Sequence, residues 1–190
     1  MSAQRQHEVL FTEEEYWDLE ETSPIRHEFF EGQIYAMAGA SPNHSDIALN
    51  IGASLKGQLR GRPCRARMSD QRIRVEATTL QTYPDVVVVC PPFRFQPNNR
   101  ITLLDATVII EILSPSTRGY DSNGKFNNYR ELPTLRHYLL VEADSIDVEH
   151  RFLQDGEWQI ERFNNLDNRI ELQAIGCRLT LHEIYEEIEF

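Results

Sequence analysis

The chain has 190 residues, 41% hydrophobic and 26% charged, a composition that suits one globular domain spanning 1–190. Its longest apolar run is too short to span a bilayer, and an N-terminal stretch holding Glu8, Glu13, Glu14 and Glu15 lacks the basic and apolar regions of a leader, so a cytoplasmic protein with no membrane partner is expected. The net charge of −11 excludes a uniformly basic nucleic-acid binder, but it is unevenly spread: residues 37–141 carry +5 between ends of −7 and −9. Cys64, Cys90 and Cys177 are odd in number, far apart and in no C-x-x-C pairing, which indicates packing residues rather than a disulfide framework or a zinc knuckle.

Thr12-Glu-Glu-Glu15 is a capping-box pattern that opens a short helix through Tyr16, Trp17 and Leu19, ending near Ser23-Pro24. Two short apolar runs around Glu31-Gly32, within His27–Met37, predict a hairpin. Ile47, Ile51, Leu55 and Leu59 then recur every four residues, the spacing of a helix with one buried face, stopped by Gly61 and Pro63. Strands are expected near Met68–Glu76, Tyr83–Cys90 and Thr107–Leu113. A polar loop, Ser114-Pro-Ser-Thr117, leads to a short helix near Asp121–Glu131. His137–Glu142 and Val148–Leu153 read as further strands, Trp158–Phe163 completes a hairpin after Asp155-Gly156, and a last helix covers Leu181–Ile188. Together these predict an α/β (α+β) domain, a mixed β-sheet core flanked by helices.

Two carboxylates sit in the most apolar stretches, Asp85 in Tyr83–Cys90 and Glu111 in Thr107–Leu113. Strand alternation puts Val108, Ile110 and Ile112 on one face and Ile109, Glu111 and Leu113 on the other, so Glu111 is flanked by apolar neighbours. Burying an ionised carboxylate costs several kcal/mol unless a cation, a metal or a proton meets it. Of the 19 basic residues only Lys56 and Lys125 are lysines, and Lys125 follows Glu111 by fourteen residues, one helical turn before Tyr129. Two acids on adjacent strands with an ammonium suit metal-assisted phosphodiester cleavage, in which a hard cation lowers the pKa of a water and polarises the phosphate.

Pro84-Asp85, Glu111 within Glu-Ile-Leu-Ser-Pro-Ser-Thr117, Asp121-x-x-x-Lys125-x-x-x-Tyr129 and Tyr138-Leu-Leu-Val141 resemble the family of putative restriction endonucleases in the PD-(D/E)XK nuclease superfamily. The likeness extends to Arg26-His-Glu28, Glu31-Gly-Gln-Ile-Tyr35, Met37-Ala-Gly-Ala-Ser41 with His44, and Ser69-Asp70, covering residues 10–160. It implies a restriction endonuclease-like fold and a metal-dependent DNA endonuclease using Mg²⁺ or Mn²⁺. Asp85 and Glu111 carry over as metal ligands and, with Lys125, as the catalytic set. In the superfamily pattern the lysine lies two residues after the second acid, where this chain has Leu113, so Lys125 is the candidate for a displaced lysine. Glu28, Asp70 and His44 are possible additional site residues.

Each of these residues has a plainer reading. Asp85 after Pro84 can cap a strand, Glu111 can pair with an arginine such as Arg74, and Glu28 and His44 can be surface or capping groups. Six arginines, Arg60 to Arg74, crowd into fifteen residues. They form either a phosphate-facing patch, with Arg65 and Arg67 as nucleic-acid contacts, or a solvated edge strand. DNA as partner and a homodimer go with the nuclease reading, since duplex cleavage needs two sites. Another phosphodiester substrate, RNA included, stays open. The alternative is a catalytically silent nuclease-fold domain acting as a nucleic-acid or protein interaction module, since fold does not guarantee function.

Overall fold

The structure, a computed structural model, describes residues 10–37, 39–97, 99–114 and 124–190. Helix α1 (Glu13–Thr22) starts on the full capping box, with Thr12 accepting from the Glu15 amide and Glu15 accepting from the Thr12 amide. Strands β1 (His27–Phe30) and β2 (Gln33–Ala36) form the expected hairpin around Glu31 and Gly32, both at positive φ (50° and 80°), as a primed two-residue turn requires. Helix α2 (Pro42–Gln58) is capped by Ser41 and buries Ile47, Ile51 and Leu55, the residues its four-residue spacing singles out.

The single strand expected near Met68–Glu76 is instead two. β3 (Arg65–Met68) ends in a turn at Ser69-Asp70, and β4 (Ile73–Arg74) belongs to a different sheet. Ser and Asp hold such turns with side-chain hydrogen bonds, and here the Gln71 amide closes onto the Met68 carbonyl at 2.9 Å. Tyr83–Cys90 divides similarly: β5 (Gln81–Thr82) precedes it and the strand itself, β6, is only Val86–Val89. The sequence pattern did not announce the short hairpin of β7 (Phe95–Gln96) and β8 (Asn99–Leu103).

Then follow β9 (Val108–Leu113), α3 (Phe126–Tyr129), β10 (His137–Glu142), β11 (Val148–Gln154) and β12 (Glu157–Phe163). The helix near Asp121–Glu131 is thus shorter at its C-terminal end, while residues 121–123 and the loop at 115–117 lie outside the described residues. β13 (Arg169–Leu172) and β14 (Cys177–Thr180) add an unanticipated hairpin, and α4 (Leu181–Ile184) stops one turn short of Ile188.

The expected mixed sheet is two six-stranded mixed sheets. One runs β12-β11-β10-β9-β6-β3, with β9 and β10 parallel, and the other runs β2-β1-β5-β4-β8-β7. The two faces of β9 serve different cores. Val108, Ile110 and Ile112 pack with Val86, Val88 and the buried face of α2, whereas Ile109 and Leu113 join Val87 of β6, Ile73 of the second sheet, Leu80 just before β5, and Tyr129 of α3. This alternation matches the one the sequence predicts, and it aims Glu111 into the second core.

The cysteines correct an expectation. Cys64 and Cys90 form a disulfide, because β3 and β6 pair antiparallel with Arg65 opposite Val89, and one further step of that ladder brings the two cysteines face to face. Cys177 is a buried thiol. No helix among the described residues is long and apolar enough to cross a membrane.

Candidate active site

Glu111 lies in the middle of the first sheet, 3% exposed, on a strand buried along its whole length. Two side chains of one helical turn meet it. Tyr129 of α3, completely buried, donates its hydroxyl to Glu111 Oε1 at 2.8 Å, and the ammonium of Lys125, four residues earlier, stands 3.5 Å from the same oxygen. Burial, reinforced by the negative charge of Glu111, pushes the Tyr129 phenol well above its ordinary pKa. The hydroxyl therefore keeps its proton and remains a donor.

Lys125 has a second carboxylate partner. Its Nζ is 2.7 Å from Oε1 of Glu28 on β1, and both side chains are less than a tenth exposed. β1 pairs with β5 with Phe29 opposite Gln81, which sets Thr82 across from Glu28, and the Thr82 hydroxyl donates to the same Glu28 oxygen at 2.5 Å. Aromatic packing fixes α3 from behind. Phe126 lies 5.3 Å from Tyr138 and edge-on to Trp158 at 5.1 Å, the Arg151 guanidinium sits over the Phe126 ring at 4.5 Å, and Tyr129 packs on Tyr138.

Asp85 is just outside β6 rather than within an interior strand, with a side chain 15% exposed. Val86 pairs with Ile110, so the next step of the ladder places Asp85 across from Glu111. Its Oδ2 accepts from the Ile112 amide at 2.7 Å and lies 3.3 Å from His44 Nε2 in the first turn of α2. The structure thus gathers Glu28, Glu111 and Lys125 into one cluster and sets Asp85 and His44 beside it, joined through the backbone of β9.

Asp70 is elsewhere: its side chain is 90% exposed and pairs with Arg26 at 3.3 Å. Glu111 is not paired with Arg74, which instead binds Glu13 at 2.9 Å. The arginine cluster is partly consumed inside the protein. Arg62 donates to the carbonyls of Ile175 and Gly176, and the buried Arg72 donates to Thr102 and covers the Tyr16 ring. Arg65 folds onto the carbonyls of Arg62, Pro63 and Cys64, and Arg67 donates to Gln71 at 2.9 Å. Sequence reasoning missed Thr82, which carries no local signal because its role depends on the β1–β5 register.

Over residues 13–182 the sequence matches the family model Uma2, described as "Putative restriction endonuclease". The chain belongs to this family. Two Synechocystis relatives, the uncharacterized proteins slr1290 and sll1609, are 38% and 32% identical to it. The first alignment covers 93% of this chain and 92% of the relative, the second 85% and 92%. The fold matches the crystal structure of a putative nuclease belonging to DUF820 from Anabaena variabilis, with a TM-score of 0.77 at 18% identity over 93% of this chain and 98% of the other. This Uma2 chain therefore has the restriction endonuclease-like fold its sequence implies.

Among the described residues no group of three or more His, Cys, Asp or Glu side chains is arranged to hold a metal ion. The donors beside the Lys125 ammonium are nonetheless carboxylate oxygens, the ligands a hard divalent cation takes. Mg²⁺ is commonly bound through only one or two of them, with waters and substrate phosphates completing its shell. Asp85, one residue before β6, and Glu111, one ladder step beyond the Val86–Ile110 pair on β9, are two carboxylates of that kind.

Proposed function

We propose that this Uma2 protein is a divalent-metal-dependent endonuclease that hydrolyses DNA phosphodiester bonds, with Asp85 and Glu111 as metal ligands and Lys125 as the catalytic ammonium. The observation that carries the reading is the arrival of Lys125, at the start of α3, 3.5 Å from Glu111, although Leu113 occupies the position where the superfamily pattern has its lysine. A purely structural Glu111 would need only one neutralising neighbour, and remote strands and a helix converge on this one.

A cation such as Mg²⁺ or Mn²⁺ held by Asp85 and Glu111 would supply an activated water and polarisation of the scissile phosphate. The chain's own residues do the rest. Tyr129, whose pKa burial raises, holds Glu111 in one orientation by donating its hydroxyl, and the Ile112 amide does the same for Asp85. Lys125 offers N–H donors to the charge that develops on the phosphate oxygens. The apolar wall of Val87, Leu113 and Tyr138 keeps the local dielectric low, which strengthens each of these interactions. Acting on duplex DNA favours a twofold dimer presenting two such sites.

A second reading has its own support. The overall charge is −11, and Lys125 is already neutralised by two carboxylates, which suits a silent domain that uses the fold for interaction. The Glu111→Gln variant separates the two. Gln keeps the side chain's size, and Lys125 retains Glu28, so the fold should survive while cleavage with Mg²⁺ or Mn²⁺ falls by about 10³-fold. Cleavage assays and thermal unfolding on the same preparation decide it: a wild type that cuts no DNA, with a variant that unfolds early, assigns Glu111 to the architecture.

A further inference from the structure

We infer that Glu28 is a positioning residue for Lys125, and not a third metal ligand, with Thr82 holding Glu28 in place. The inference rests on the nuclease reading for its catalytic consequence and on geometry alone for the placement. A lysine two residues after an acid shares that acid's strand face and is held there by the strand itself. Lys125 has no such scaffold: it stands before a four-residue helix, on a flexible four-carbon stem that loses rotamer freedom when its ammonium is fixed.

Glu28 holds it from β1. Its contact with Nζ, 2.7 Å, is closer than that of Glu111, 3.5 Å, so Glu28 is the nearer counter-ion and Glu111 the group beside which the ammonium is placed. The same Glu28 oxygen receives the Thr82 hydroxyl, and Thr82 is wholly buried on the neighbouring strand, so the carboxylate cannot swing towards solvent without stranding a buried hydroxyl. Two donors already converge on that oxygen. This geometry suits an acceptor for an ammonium better than a ligand for a divalent cation.

The chain's two lysines make the test direct. In metal-free protein, reductive methylation with formaldehyde and cyanoborohydride, followed by peptide mapping, reads Lys125 against Lys56, which is exposed on α2 and serves as the internal control. Lys125 should react about tenfold or more slowly than Lys56, and Glu28→Gln or Thr82→Val should raise its rate by about tenfold, with Lys56 unchanged. Thr82→Ser, which restores the hydroxyl, should label like wild type. In cleavage assays Glu28→Gln should lower kcat by about 10²-fold with the KM for DNA unchanged. It should also keep the rise in melting temperature that Mn²⁺ produces. An unchanged Lys125 rate in Glu28→Gln, a kcat of that variant equal to that of a wild type that cuts, or loss of the variant's Mn²⁺ response would each overturn the inference. If wild type cuts nothing, the nuclease reading fails by itself, and the labelling and Mn²⁺ results still decide what Glu28 does.

Discussion

His27 and Glu28 are neighbours on β1, and alternation sends their side chains to opposite faces, each into a buried carboxylate cluster. On the first face Glu20 of α1 accepts from the His27 amide at 2.8 Å, contacts His27 Nδ1 at 2.8 Å and accepts the Tyr83 hydroxyl at 2.5 Å. Burial, then the bond to Glu20, pushes the Tyr83 phenol up to about 12, so it too remains a donor. Tyr16 closes the arrangement by donating to the His27 carbonyl. Every partner comes from residues 16–83, and the cluster's work is to tie α1 to the sheet.

The second cluster draws Glu28, Thr82, Glu111, Lys125 and Tyr129 from β1, β5, β9 and the α3 turn, and at its centre is a lysine. The difference teaches how to read a buried acid. Burial and hydrogen bonding are common to both clusters, so neither marks function. What separates them is a lysine ammonium, brought from outside both sheets to two buried carboxylates, which the first cluster lacks.

The sharpest way to break this comparison is to neutralise one acid from each cluster. Against the roughly 10³-fold loss of cleavage expected for Glu111→Gln, Glu20→Gln should cost stability instead. It leaves donors of His27 and Tyr83 facing an amide, a loss of about 1–3 kcal/mol in urea unfolding, with cleavage per folded molecule preserved. A Glu20→Gln protein that stays stable but stops cutting would move the active centre to the other face of β1.

A third buried cluster sharpens the contrast because it holds neither carboxylate nor lysine. His137 Nδ1 and His150 Nε2 are 2.9 Å apart, and burial lowers the two rings to about 4 and about 3 from an ordinary 6.5. The unfolded chain therefore binds protons first. The pair's contribution is complete above the ordinary histidine range and is lost as pH falls from about 6.5 towards the folded values, by about 1.4 kcal/mol per pH unit for each ring. Unfolding measured from pH 7 to pH 5 should show that slope, and His150→Gln should flatten it. A slope unaffected by His150→Gln would transfer the acid sensitivity to the carboxylate clusters.

Metal linkage gives a smaller but more specific difference. Mn²⁺ at a hundredfold excess over its Kd should stabilise the protein by about 2.7 kcal/mol. Asp85→Asn should abolish that gain and Glu20→Gln should leave it intact. Equal responses in all three proteins would place the cation away from Asp85. The smallest effect is expected from Arg65 and Arg67, whose guanidinium groups already have protein acceptors. Replacing both with Ala should reduce the salt slope of DNA binding by about one to two. Identical slopes would leave them as supports of the turn after α2.

The parts of the fold legible in the sequence are those that neighbouring residues decide. The Thr12 capping box, the Ile47–Leu59 periodicity, the Glu31-Gly32 and Asp155-Gly156 turns and the alternation that aims Glu111 inward all appear where expected, because each depends on contacts within a turn or a strand. At the site, the same locality made Glu111 conspicuous and put Lys125 and Tyr129 on one helical face. Features that were not legible include the split at Ser69-Asp70 into two sheets, the β7–β8 and β13–β14 hairpins, the Cys64–Cys90 bond and the pairing of Glu28 with Thr82. A cysteine, a threonine or a glutamate looks the same in a sequence whichever strand comes to lie beside it.

The sequence by itself determined which residues carry charge into apolar strands, which helix carries the only lysine near them, and which family the motifs resemble. Only the tertiary structure decided which acids that lysine meets, that Asp70 faces solvent, and that Asp85 leans on His44 and the Ile112 amide. The physical reason is range. Capping, periodicity and turn preference are set by interactions over a few residues, whereas an ion pair between Glu28 and Lys125 exists only after two sheets and a helix have closed around it.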